Sequence, residues 1–271
     1  MSIIKKIRNK LKRDGLIKTS ITALRYPFAK GFRILKDRVA KRRATKRRAE
    51  NKKNILKKIS LSERFNEIYE KSFWSSNESL SGEGSEINYT RSLRVWLVKR
   101  LPELNIRTFV DAPCGDFNWM KVVLPEVNVN YFGFDIVKSV IKNNNQLYAN
   151  EKIKFAIANI CEDKLPSCDI LMVRDCLFHL SYEDINKFLE NINQVEYRYL
   201  LTTTHIVDSS FTNKNIVSGD FRLIDLFSYP FNFNEKLVVD RVKDFPKEYP
   251  VPREMILVKK EHVRTSIAHN M

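Results

Sequence analysis

Between residues 107 and 203 the chain alternates short apolar runs with amphipathic stretches, and this alternation constrains the fold more than any other feature. Runs at 107–111 (RTFVD), 130–135 (NYFGFD), 153–157 (IKFAI), 168–173 (CDILMV) and 197–203 (YRYLLTT) read as strands, and 117–124, 137–148 and 182–193 read as helices. Strands alternating with helices at this spacing build parallel βαβ units, so the expected fold is α/β, a mostly parallel doubly wound sheet with helices on both faces. Downstream, Lys236 to Val242 and Glu254 to Lys260 read as two strands joined by a turn, an antiparallel C-terminal edge. Upstream, Ser62 is placed to cap a helix with Phe65, Ile68, Tyr69 and Phe73 on its apolar face, and Ile87 to Leu101 reads as another helix. Residues 79–85, between them, read as a flexible loop.

The first βα junction carries the chemistry. Strand 107–111 ends in Asp111 and runs through Ala112, Pro113, Cys114, Gly115 and Asp116 directly into a helical stretch. In doubly wound sheets ligands bind at the carboxyl ends of the strands, and a glycine there lets a ligand approach the backbone. One glycine is too few for the GxGxxG dinucleotide fingerprint, and the sequence has no GxxxxGK[ST] phosphate loop. A second acid, Asp135, ends the next strand about twenty residues on, where a carboxylate can accept hydrogen bonds from both hydroxyls of a ribose. Alone, such an acid reads as a turn or helix-cap residue; following the first motif at this spacing, it reads as a ribose partner.

DAPCGDFNW at 111–119, Asp135, Ala158-Asn159-Ile160 after the third strand and DILMVRDCLFHL at 169–180 together resemble a class I S-adenosylmethionine-dependent methyltransferase of Rossmann-like fold. The resemblance spans residues 60–261. With FNEIY at 65–69, Trp74, SLSGEGS at 79–85, LLTTTH at 200–205 and GDFRLIDL at 219–226, it narrows to a bacterial group often associated with surface-polysaccharide or glycan modification. The turn departs from the commoner D-x-G-x-G in having proline and cysteine where a first glycine often stands. The resemblance implies S-adenosyl-L-methionine as cofactor, with Asp111 and Gly115 at its methionine end in a turn that includes Cys114 and Asp116, Asp135 on the ribose, and Asn159 with Ile160 on the adenine. Gly82 and Gly84 allow a backbone N–H nest for the cofactor carboxylate, with Arg91 on the following helix as ion-pair partner. The competing reading is a plain helix connector and a solvated arginine.

Methyl transfer is an in-line displacement at a sulfonium carbon, and an alcohol acceptor benefits from a base that takes its proton as the bond forms. His179 and His205 both fall just beyond strand ends, on the face where substrate enters, and Asp175 shares the loop of His179; these are the candidate catalytic residues. The competing role for His179 is packing at a helix start. Arg174 and Arg222 read as contacts for an anionic sugar or phosphate, or else as structural ion-pair partners. Cys114 reads as a steric choice in the turn, and no metal site is expected. The sequence lacks the Asn/Asp-Pro-Pro-Tyr/Phe clamp of base-nitrogen methylation after strand four. With the glycan association that the resemblance implies, the expected function is transfer of a methyl group to an oxygen of a saccharide or lipid-linked glycan. RNA or protein methylation, and a noncatalytic membrane-binding module retaining the fold, are the alternatives.

The net charge of +16 is uneven. Residues 1–58 hold 22 of the 48 Lys and Arg against three acids, giving +19, while the remainder has 26 basic and 29 acidic side chains, giving −3. Ile3, Ile4, Ile7 and Leu11 share one helical face amid lysines and arginines, the pattern of a helix lying on an anionic bilayer surface. Nucleic acid is the less favoured polyanion, and an inert solvated extension competes with both. No run approaches the roughly 18 apolar residues of a membrane span, and no secretory signal is recognised. Four cysteines without a CxxC pair read as reduced thiols. The expected location is cytoplasmic, peripheral at the inner face of the plasma membrane. The expected organisation is a basic arm at 1–58, a methyltransferase domain at 59–261 and a tail at 262–271.

Overall fold

The computed structural model describes residues 45–47, 49–58, 60–74, 76–246 and 251–263. The chain divides into two units after Asn54. In the first unit residues 45–47 and 49–54 are helical, and the amphipathic periodicity expected near the start of the basic arm lies outside the described residues.

The second unit is organised by one sheet. Its strands are β1 (Thr108–Asp111), β2 (Asn130–Asp135), β3 (Ile153–Ile157), β4 (Cys168–Val173), β5 (Tyr197–His205), β6 (Val238–Lys243) and β7 (Arg253–Lys259). They lie in the order β3-β2-β1-β4-β5-β7-β6, parallel from β3 to β5 and antiparallel at β7 and β6. The helices of this unit include α1 (Leu61–Glu70), α2 (Arg91–Glu103), α3 (Met120–Val123), α4 (Lys138–Tyr148) and α5 (Tyr182–Asn193). The doubly wound, mostly parallel sheet expected from the sequence is the architecture observed.

The central strand shows why. In β4, Ile170 and Met172 enter one core with Leu93, Leu97 and Leu101 of α2, whereas Leu171 and Val173 enter the other with Ile185, Phe188 and Ile192 of α5. Side chains alternate across a strand, so a run apolar at every position demands cover on both faces. The reversal of strand order between β1 and β4 opens the crevice in which ligands of such sheets bind.

Local boundaries differ from expectation where single residues decide them. Ser60 rather than Ser62 caps α1, because Ser60 has Glu63 three residues on: its Oγ accepts from the Glu63 amide at 3.2 Å and the Glu63 carboxylate accepts from its own amide at 3.5 Å. The helix expected at 117–124 shrinks to α3 and a following 3-10 turn, since Phe117 sits at φ +59°, a left-handed value that no helix continues through. Strand β5 runs on to His205, and β7 lies inside the sheet between β5 and β6, leaving β6 as the edge.

Candidate active site

At the carboxyl ends of β1 and β2 the two acids and the glycine turn meet. The Gly115 amide donates to Asp135 Oδ2 at 3.1 Å, and the Val137 amide donates to Asp135 Oδ1 at 2.9 Å. Asp111 accepts from the Tyr131 hydroxyl through Oδ2 at 2.7 Å, while its buried Oδ1 has no hydrogen-bond partner. Asn144 of α4 braces the turn from behind, its Nδ2 donating to the Gly115 carbonyl at 2.8 Å. Cys114 is buried beside it, and burial raises its thiol well above the ordinary value, so it packs as a neutral small group. Sequence reasoning missed Asn144, although a polar residue one turn from the apolar Val140 and Ile141 is the signal that marks it.

Burial raises both acids, Asp111 to about 7 and Asp135 to about 6, against the hydrogen bonds from Tyr131 and from the Val137 and Gly115 amides. A carboxyl whose pKa rises on folding stabilises the fold fully below its unfolded value of about 3.9 and loses that contribution as pH climbs through the folded value. Asp111→Asn keeps an oxygen for Tyr131 and cannot ionise. Wild type is therefore expected to lose stability relative to Asp111→Asn between about pH 4 and about pH 7, by up to ~1.4 kcal/mol per pH unit. Melting curves of the two proteins across that range measure it, and parallel curves would mean that Asp111 is ionised in the fold.

The loop read as flexible is tied to this turn. Ser79 Oγ and the Leu80 amide both donate to Asp116 Oδ2 at 2.8 Å, and the Asp116 amide donates to Ser81 Oγ at 2.9 Å. Gly115 stands at φ +56°, and a Cβ there would fall 2.6 Å from Ser81 Oγ, so the glycine serves both the turn and the docking of the loop. Farther along, Asn118 Nδ2 donates to the Ser85 carbonyl at 3.0 Å and Arg174 Nη2 to the Gly84 carbonyl at 2.7 Å. Gly82 adopts φ +105° against the Trp74 carbonyl. The arginines that meet this loop are thus Arg174 and, against Gly84, Arg253, whereas Arg91 is exposed at the first residue of α2.

Beneath the loop lies a quartet of charges in which Arg174, Asp244 and Arg253 are buried and Asp175 is partly exposed. Arg174 grips Asp244 with Nε at 2.8 Å and Nη2 at 3.2 Å, and its Nη1 lies 3.3 Å from Asp175. Arg253 Nη2 is 2.7 Å from Asp175 Oδ2. Of the two readings for Arg174, the ion pair is the one observed. Burial works to raise Asp175, but the Arg174 and Arg253 guanidiniums outweigh it and hold the carboxyl below the usual range, ionised and able only to accept. Asp244 and Arg253 carried no local sequence signal, being 70 and 79 residues from Arg174 in the chain.

The two histidines differ in which ring nitrogen carries the proton. His179 Nδ1 lies 2.7 Å from the Asp220 carbonyl, which can only accept, so Nδ1 carries the proton and the neutral ring keeps its lone pair on Nε2. The ring is partly exposed and stacks on Trp74 at 4.6 Å between centroids, with Phe221 5.9 Å away. His205 is instead the last residue of β5, paired with Arg253 in β7 and buried. Its Nδ1 accepts from the Ile224 amide at 3.1 Å, leaving the proton on Nε2, and burial with Arg253 nearby lowers its pKa to about 4. The placement just beyond a strand end, expected for both, holds for His179 alone.

The remaining predicted residues, Asn159, Ile160 and Arg222, all take part in hydrogen bonds involving backbone groups. Asn159 Oδ1 accepts from the Cys161 amide at 3.1 Å in a local turn, Ile160 is buried, and the neighbouring Ala158 amide donates to the Asp135 carbonyl at 3.1 Å, which ties this segment to the acid at the end of β2. Arg222 donates to backbone carbonyls of the turn bearing His179, at 2.5 Å to Leu180. Among the described residues no cluster of His, Cys, Asp and Glu is arranged to hold a metal ion, and no helix is long and apolar enough to cross a membrane.

Comparison with protein-family models and with curated sequences gives no match. Comparison with solved structures does. The chain is similar to 1,6-didemethyltoxoflavin-N1-methyltransferase of Burkholderia thailandensis, solved with S-adenosylhomocysteine bound, at 13% identity and TM-score 0.55 over 73% of this chain and 86% of that one. A SAM-dependent methyltransferase of Leishmania major aligns at 18% identity and TM-score 0.53, over 74% of this chain and 87% of that one. The mitomycin 7-O-methyltransferase aligns at 14% identity and TM-score 0.51, over 73% of this chain and 57% of that one. The chain spans 58% of the length of human N-acetylserotonin methyltransferase, which it also matches. These neighbours methylate nitrogen in one case and oxygen in another, so the resemblance fixes architecture and leaves the acceptor atom open. Strand order, the acid-ended β1 and β2 and these likenesses together give the second unit the Rossmann-like fold of the class I methyltransferases.

Proposed function

We propose that this chain is an S-adenosylmethionine-dependent methyltransferase that methylates an oxygen of a saccharide or glycan-linked acceptor. The observation that carries the cofactor reading is the Asp111 Oδ1: a buried acceptor without a partner, beside a left-handed glycine and a second buried acid, suits a ligand that brings its own ammonium and ribose hydroxyls. Asp111 and Gly115 would hold the methionine end and Asp135 the ribose. When bound, the cofactor supplies an electrophilic methyl group.

The chain's own residues then have distinct tasks. Nε2 of His179 takes the proton of the acceptor hydroxyl, because its tautomer leaves the lone pair there. Asp175, ionised between two arginines, accepts hydrogen bonds from acceptor hydroxyls and orients them. Trp74 and the half-exposed Phe221 offer apolar faces against which a sugar ring can pack. The glycan assignment rests on the sequence resemblance and is supported by this mixture of aromatic faces with a fixed carboxylate.

Asp135→Ala tests the cofactor half. It removes two charge-assisted hydrogen bonds to ribose, each worth roughly 1.5–3 kcal/mol, so the affinity for S-adenosylhomocysteine is expected to fall at least about tenfold in a protein that still melts cooperatively. Unchanged affinity would place the ribose elsewhere.

The basic arm belongs to the same proposal, as a peripheral anchor on anionic lipid. Full-length protein is expected to sediment with phosphatidylserine-containing vesicles at low salt and to be released at high salt, with neutral vesicles leaving it in solution. Equal sedimentation with both vesicle types would remove the electrostatic anchor.

A further inference from the structure

Residues 217–222, in the connection between β5 and β6, close over the turn that carries His179. The Gly219 amide donates to the His179 carbonyl at 2.7 Å and the Arg222 amide to the Phe178 carbonyl at 3.2 Å. Ser218 Oγ accepts from the Ser181 amide at 2.7 Å and donates to Asp184, which also accepts from Ser181 Oγ at 3.0 Å. The Asp220 carbonyl accepts a hydrogen bond from His179 Nδ1–H. Gly219 lets this segment pass: it sits at φ +99°, and a Cβ would crowd Ile68 of α1 at 3.1 Å and Leu56 at 3.2 Å.

Arg222 stands at the centre of the clamp. It is 7% exposed, Nη1 donates to the Leu180 carbonyl at 2.5 Å and Nη2 to the Leu177 carbonyl at 3.4 Å, and the guanidinium lies 5.3 Å from the Tyr182 ring. Burial lowers its pKa to about 10, which leaves it charged at neutral pH. A buried cation turned toward carbonyls holds them more firmly than a neutral donor would. The two carbonyls it holds lie on either side of His179, and the chain segment it belongs to supplies the Asp220 carbonyl.

We propose that Arg222 is a positioning residue, which locks the 177–180 turn to the 217–222 segment and so holds the His179 ring in a single tautomer with the lone pair on Nε2. Its bearing on catalysis rests on His179 being the base; the tautomer itself is observable with no acceptor present.

The test uses the full chain labelled with 15N-histidine. Long-range proton–nitrogen correlation distinguishes a protonated ring nitrogen from one bearing a lone pair, and His179→Gln identifies the His179 signals. Wild type is expected to show His179 protonated on Nδ1; a lone pair there would overturn the proposal. In Arg222→Met the ring is expected to lose that single tautomer, seen as shifted or averaged nitrogens, while the affinity for S-adenosylhomocysteine stays near wild type. His179 signals identical to wild type in that variant would also overturn it. Should Arg222→Met fail to fold, Ser218→Ala carries the same comparison: displaced His179 signals support the clamp and unchanged ones refute it. Wild type that shows the expected tautomer but binds no S-adenosylhomocysteine would refute the cofactor reading and leave the clamp standing.

Discussion

His179→Ala is expected to lower methyl-transfer turnover by about 10²–10⁴ with a saccharide acceptor that the wild type methylates, while S-adenosylhomocysteine affinity stays nearly unchanged. The split follows from the geometry. The Asp220 carbonyl fixes the proton on Nδ1, the proposed mechanism uses Nε2, and the rings packed beside it are Trp74, Phe178 and Phe221 rather than side chains of the Gly115 turn. Wild-type turnover should also fall on the acid side, once the ring is protonated and has no lone pair to offer. Turnover near normal in His179→Ala would exclude it as the base. His205 is a poor substitute, since the Ile224 amide already occupies its Nδ1 and a proton occupies Nε2.

Asp244→Ala is expected to destabilise the fold by about 3–5 kcal/mol, the penalty of leaving one member of a buried ion pair without its partner. Asp244 is fully buried, and its carboxylate takes two bonds from Arg174 while its backbone carbonyl takes one from Arg253 Nε at 3.0 Å. Its loss leaves Arg174 facing Asp175 alone and loosens the Gly84 carbonyl that Arg174 holds. Replacing both partners with apolar residues, Arg174→Met with Asp244→Leu, should recover a good part of the loss, because no charge is then stranded. Urea unfolding of the single and double variants measures this. A loss below about 1 kcal/mol for Asp244→Ala would mean that water reaches the quartet.

The sheet was legible in the sequence because its strands are short and the central one is apolar on both sides; Ile170, Leu171, Met172 and Val173 admit no solvent face. The two acids were legible for a local reason, each standing at the end of a strand beside its turn. What escaped depended on distant pairing. Whether β5 stops at Thr203 or at His205 decides if that histidine meets substrate or a backbone amide, and it runs on because β7 supplies Arg253 as its partner. The insertion of β7 also brings Arg253 under the 79–85 loop, so the charge quartet has no trace in local spacing. Phe117 at a left-handed φ shortened a helix that its neighbours favour, a choice made by the turn around Gly115 rather than by propensity. The loop at 79–85 looked free because its serines and glycines are small and polar; those same serines bind Asp116.

Calorimetric titration of the full chain with S-adenosylhomocysteine tests the central claim most directly, since the unpartnered Asp111 oxygen, the Gly115 turn and Asp135 are read as a single cofactor cradle. One saturable site per chain, with a rise in melting temperature that grows with ligand concentration, is the expected result. Absence of both heat and thermal shift in a folded wild-type protein would contradict it.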